Sequence, residues 1–152
     1  MAIEMFGFDE ILGEAKNHNK ATLDKIVLRE LKLIAEEACN HARNDYPTRA
    51  SGGYDDHTRN LRGSIGYKIF FNGTEITHGG LDGKGSEKGE QVASSTLNKI
   101  QSDGKLWEIV VVAGMEYARY VEAKGYNVIS FVQAFLDREI EKLKKAIKDG
   151  EL

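Results

Sequence analysis

The chain has one cysteine in its 152 residues, Cys39, so it cannot close an internal disulfide. It has no apolar run approaching the ~20 residues that cross a bilayer. It has no basic head before its first apolar residues: MAIEMFGFDEILGEAK carries acids where an export signal needs bases. These absences predict a reducing compartment, with Cys39 an inert, buried thiol on the apolar side of a helix. Net charge is small as well. Lys and Arg number 21 against 24 Asp and Glu, a balance of −3, which argues against a protein built to grip nucleic acid. Internal repeats and low-complexity tails are also missing.

Catalytic and metal-binding patterns are equally scarce. Asp55-Asp56-His57 is the one cluster with metal-ligand chemistry, and His41 could join it. Adjacent residues in a glycine-rich loop point alternate ways, and no i, i+4 or CxxC partner set completes a site. The histidines at 18, 41, 57 and 78 read as solvated polar residues in loops or at helix edges. Ser64, Ser94 and Ser95 lack the GxSxG elbow. Glu116 and Glu122 have no cleft that would make them a glycosidase pair. Residues 79–89, GGLDGKGSEKG, hold five glycines but lack the GK[ST] ending of a phosphate loop, so they read as a flexible insertion. Arg49, Arg59 and Arg62, near Tyr54 and Tyr67, could touch phosphate, but a contact to Glu122 within or between subunits asks for less. The expectation is a non-enzyme with no metal and no cofactor.

What is present suffices for one domain spanning residues 1–152. Apolar residues make up 41% and charged residues 30%, as in globular proteins. Residues 1–20 form an apolar arm or short docking helix through Phe6, Phe8, Ile11 and Leu12, packing on its own core or on a neighbour. A helix follows over 22–46, capped by Thr22 or Asp24, with Leu23, Val27, Leu31, Ile34, Ala38 and Ala42 in one stripe. It runs for roughly 34 Å before Pro47 stops it. Residues 58–77 read as a tight turn at 60–63, a strand from Ile65 to Phe71, an Asn72-Gly73 hairpin turn, and a return strand over 74–77. Within 79–105, the glycine-rich insertion leads to a weak helix over 90–101 anchored by Val92, Leu97 and Ile100.

The most informative stretch is 106–125. Ile109-Val110-Val111-Val112, flanked by Trp107 and Ala113, reads as a strand covered on both faces. Gly114 breaks it. A short helix follows, and Gly125 closes that helix. Ser130 and Gln133 form a capping box that opens a last helix over 130–148. Its buried stripe is Val132, Phe135, Leu136, Ile140, Leu143 and Ile147. Strands without parallel crossovers, flanked by helices, predict an α+β fold: a small antiparallel sheet against long N-terminal and C-terminal helices.

Two pieces resemble a known family. One is Tyr46-Pro47 followed by Thr58-Arg59-Asn60-Leu61-Arg62-Gly63-Ser64-Ile65. The other is Val111 to Glu122, VVAGMEYARYVE, then Gly125 and a terminal helix opening with Phe131. Their order and spacing resemble the tail-completion, or head–tail joining, proteins of long-tailed phages and prophages over most of residues 23–148. YAxYVE is matched letter for letter at Tyr117 to Glu122. The glycine that the family places after Thr58 is absent, and the segment 73–105 exceeds the family's connection.

The resemblance implies an α+β virion structural protein without catalysis. It would act in the neck as a homo-oligomeric ring that completes the tail or joins it to the head connector. Its partners would be itself, connector and tail-tube proteins, and DNA passing through the ring without sequence recognition. Its place would be the host cytoplasm during assembly and then the virion. The motif residues at stake are Arg59, Leu61, Arg62, Ser64, Tyr117, Tyr120, Glu122 and Gly125. Tyr117 and Tyr120 share a face three residues apart, as interface anchors or as packing residues. Glu122 would pair with Arg59 or Arg62. The alternatives are a non-viral self-associating adaptor domain of the same shape, or a small metal-dependent hydrolase using Asp55, Asp56 and His57.

Overall fold

The computed structural model describes residues 2–9, 20–44, 60–80, 87–115, 118 and 128–152. Within them the elements are β1 (Ala2–Phe8), α1 (Lys20–Asn44), α2 (Asn60–Gly63), β2 (Ile65–Phe71), β3 (Thr74–Gly79), α3 (Glu87–Lys99), β4 (Trp107–Ala113) and α4 (Val132–Lys148). The fold is α+β. Its antiparallel sheet has the order β1-β4-β2-β3.

The sheet is built around β4, and every residue of β4 is buried. A run of Ile and Val with no polar alternation has no face to give to water, so it takes the interior of the sheet. Its ends fix the register on both sides. Ala113 lies opposite Ala2 and Ile65, and Trp107 lies opposite Phe8 and Phe71. Alternate residues go to opposite faces. Trp107, Ile109, Val111 and Ala113 join Ile65, Tyr67 and Ile69 in the main core with α1 and α4. Val110 and Val112 join Phe70 and Leu97 in a smaller core beneath α3, with Met5 and Ile100 at its margin.

Local signals held where they were strong. The hairpin turn has Asn72 at φ 52° and Gly73 at φ 85°, as a type I′ turn demands. Leu106 O accepts from Asn72 N at 2.7 Å, and the rings of Phe71 and Trp107 close that end at 4.4 Å. All six residues of the predicted α4 stripe are buried. On α1, Val27, Leu31, Ile34, Ala38 and Ala42 are buried as predicted, together with Ala35 and Cys39.

Five expectations are corrected. The N-terminal segment is neither helix nor loose arm over 2–8. It pairs along its length with β4 as an edge strand, because Ala2 and Phe8 can be buried there. Helix α1 starts at Lys20, so Thr22 and Asp24 lie inside it and neither is its cap. Strand β3 runs two residues further, to Gly79, since Gly79 and His78 find partners in Tyr67 and Lys68. Helix α3 spans 87–99 rather than 90–101; the expected anchor Leu97 is buried and Val92 and Ile100 pack at the core margins, with Gly89, Ala93 and Thr96 buried beside them. The Ser130–Gln133 capping box does not form. Phe131 is the N-cap with helical dihedrals and no side-chain cap bond. Gln133 Nε2 instead donates to the Met5 carbonyl of β1 at 2.5 Å.

Candidate functional site

The two motif halves meet at the end of the sheet where β2 begins and β4 stops. Helix α2 is a single turn, and Ser64 closes it: Ser64 N donates to Leu61 O at 3.1 Å and Ser64 Oγ to the same carbonyl at 2.7 Å. The same hydroxyl accepts from Met115 N at 3.3 Å, and the Ser64 carbonyl accepts from Gly114 N at 3.0 Å. Arg43, 7% exposed in the last turn of α1, donates from its guanidinium to the Ile65 carbonyl at 2.8 Å. Ala118, fully buried, donates from its backbone to Met115 O at 3.1 Å.

Gly114 leaves little room at this corner for a side chain. A Cβ there would stand 3.0 Å from Thr96 Oγ1, Val92 Cγ1 and Val92 O of α3. One corner therefore ties α1, α2, α3, β2 and β4 together. Its polar atoms are matched chiefly to one another. Ser64 Oγ is both donor and acceptor and is shut off from water, so it acts as a link and not as a nucleophile.

The expected site residues fall in two groups. Leu61 and Ser64 are buried in the corner, and Arg62 is half-buried on α2. Arg59, Tyr117, Tyr120, Glu122 and Gly125 lie outside the described residues, so the pairing of Glu122 with Arg59 or Arg62 does too. Tyr54, Asp55, Asp56, His57 and Arg49 also lie outside them. Among the described residues no group of three or more His, Cys, Asp or Glu is placed to hold a metal ion. His41 keeps about a third of its side chain in solvent, 35% exposed on α1, while standing edge-on to Phe135 with centroids at 5.3 Å and 3.4 Å from Glu37. His78 is exposed but sits on β3 rather than in a loop.

Sequence reasoning missed a set of buried polar residues on the α3 face of the sheet. Lys68 is 4% exposed. Its ammonium donates to Leu97 O at 2.8 Å and Ile100 O at 3.3 Å, stands 3.7 Å from Glu75 Oε2, and lies 5.1 Å from the Phe70 ring centroid. It thus caps the C-terminal carbonyls of α3, where a cation also suits the helix dipole. Glu108, fully buried, accepts from Asp103 N at 2.8 Å and from Ser102 Oγ, which holds the 102–106 turn against the sheet. The signal for both was a charged residue inside an apolar strand. On periodicity alone such a residue reads as solvent-facing.

Cys39 and Tyr67 share the main core beneath Gly80, where a Cβ would meet Cys39 Sγ at 2.8 Å. Burial pushes the Cys39 thiol from 9.0 up to about 12, against a smaller downward pull from Arg43. Burial also raises the Tyr67 phenol, helped by its hydrogen bond to the Glu36 carboxylate. Neither group is a nucleophile at neutral pH. Compared with protein-family models, curated proteins and solved structures, the chain finds no match.

Proposed function

We propose that this chain is a structural neck protein of a phage or prophage. It completes the tail, or joins it to the head connector, as a homo-oligomeric ring. The observation that supports this reading most is the corner itself. The two sequence pieces that carry the family resemblance, 51 positions apart, are bonded to each other through Ser64, Gly114 and Met115. A motif pair that builds one corner is what a shared fold requires of it. The chemistry is compatible with a scaffold: Ser64 links, Cys39 is inert, and Lys68 and Glu108 hold secondary elements in place.

In this reading the protein partners itself, connector and tail-tube proteins, and lets DNA pass without reading its sequence. It works in the host cytoplasm during assembly and then in the virion. Tyr117 and Tyr120 are its interface anchors, and Glu122 pairs with Arg59 or Arg62. The test is mass in solution by light scattering across a concentration series, with and without a divalent metal. A discrete ring-sized species indifferent to metal supports the proposal, and Tyr117→Ala with Tyr120→Ala should then dissolve it. A single chain at every concentration counts against it. A mass that depends on metal would favour the hydrolase built on Asp55, Asp56 and His57.

A further inference from the structure

The two edges of the sheet are not alike. The outer side of β1 is engaged by α4, since Gln133 donates to the Met5 carbonyl and Lys144 lies over the Phe8 ring at 5.7 Å. Among the described residues nothing covers the outer side of β3: no strand lies beyond it, four of its six residues are exposed, and a groove of about 370 Å³ lined by Glu75, Ile76, Thr77 and His78 runs along it. Such an edge presents unpaired N–H and C=O groups to whatever strand can match them.

The side chains on that edge match themselves. The register between β2 and β3 shifts between Ile69 and Phe70, which makes Ile76 the extra residue of a bulge. Glu75 lies opposite Phe70 and His78 opposite Lys68, so both sit on the α3 face of the sheet. Their 3.1 Å contact, and the 3.7 Å contact of Glu75 with Lys68, agree with that placement. A second β3 laid antiparallel about a two-fold axis between Ile76 and Thr77 puts Glu75 opposite the second copy's His78 and Ile76 opposite its Thr77. The acid and the imidazole then face each other on one side of the sheet. The bulge puts both on one face, and slipping the register by one residue takes each from its counterpart, so their match favours this alignment.

We propose that the open edge of β3 pairs with the same edge of a second copy, joining two sheets into one across a two-fold axis. The contact is isologous and closes on itself. It is small, so it belongs to the weak, concentration-dependent class of interfaces. It does not rest on the ring reading, which places its anchors at Tyr117 and Tyr120.

The test uses the full chain. Sedimentation or light scattering should show mass rising from one chain toward two with concentration. Ile76→Lys should hold the protein at one chain while leaving its thermal midpoint within a degree or so, because Ile76 is 39% exposed. His78→Glu, which sets two carboxylates against each other, should act in the same direction. Register is read by disulfide formation: an equal mixture of Ile76→Cys and Thr77→Cys chains should cross-link faster than either variant alone. Buried Cys39 does not compete. A wild-type chain that stays single, a dimer untouched by Ile76→Lys, or cross-linking no faster in the mixture would each overturn the proposal. A ring that persists in Ile76→Lys would leave the neck reading intact while removing this one.

Discussion

Ser64 and Met115, 51 residues apart in the chain, are joined by a buried hydrogen bond from the Met115 amide to the Ser64 hydroxyl. The same hydroxyl donates to Leu61 O, so one side chain holds the α2 turn and the exit of β4 together. Ser64→Ala should remove both contacts and leave the Met115 amide buried without its partner. The expected loss is about 1–3 kcal/mol. Urea unfolding of the variant against the parent measures it. A change under a few tenths would mean that the corner is held without Ser64.

Gly114→Ala tests the same corner by crowding. The added methyl would stand 3.0 Å from three atoms of α3, one of them the Val92 carbonyl oxygen, which cannot swing aside. Helix α3 must shift outward, at a cost of about 1–3 kcal/mol. Calorimetry should show the lowered midpoint. Unchanged stability would mean that α3 is not clamped to β4 at this point.

Lys68→Met keeps the aliphatic length of the side chain and removes its charge. The Leu97 and Ile100 carbonyls lose their donor, and Glu75 loses its buried partner. Stability should fall by about 1–3 kcal/mol. Amide exchange should quicken in the last turn of α3 more than in α4. Uniform quickening across both helices would show that Lys68 supports the whole domain and not the end of α3.

The buried thiol and phenol make stability fall in alkali. The unfolded Cys39 thiol loses its proton near 9.0, whereas the folded one keeps it to about 12. Between those values the folded state holds more protons, so the stabilisation is complete below pH 9 and is lost as pH rises toward 12. The slope from this group is about 1.4 kcal/mol per pH unit. Tyr67, raised in the same direction from 10.0, steepens the fall above its ordinary range. Urea midpoints taken from pH 7 to 11 should decline from about pH 9 in the parent, whereas in Cys39→Ala they should hold until the Tyr67 contribution begins to fall near 10.0. A parent profile already flat would contradict the burial of both groups.

Much of this architecture was legible in short stretches of sequence. Four aliphatic residues in a row made β4 an interior strand, Asn72-Gly73 made the hairpin, and a 3.6-residue stripe made α4. Each of these choices is settled by neighbours within about four residues, through turn dihedrals or the facing of side chains. The site residues Leu61 and Ser64 were visible as a motif, but their burial was not. A serine in a polar turn carries no mark of the amide 51 residues away that will close over it.

Tertiary structure decided what local signals left balanced. Residues 2–8 became a strand because β4 offered an unpaired edge and α4 a cover for Phe8. Helix α3 found its place through Gly89, Ala93 and Thr96 as well, small residues that let it approach the sheet closely and leave only Val92, Leu97 and Ile100 as a thin apolar signal to read. Lys68 and Glu108 look solvent-facing by pattern and are buried because partners from 29 to 32 residues away, or from the adjoining turn, satisfy their charges. Composition and spacing determine which segments can be helix or strand. Which edge is covered, and which charge goes inside, is set by contacts that exist only once distant segments have met.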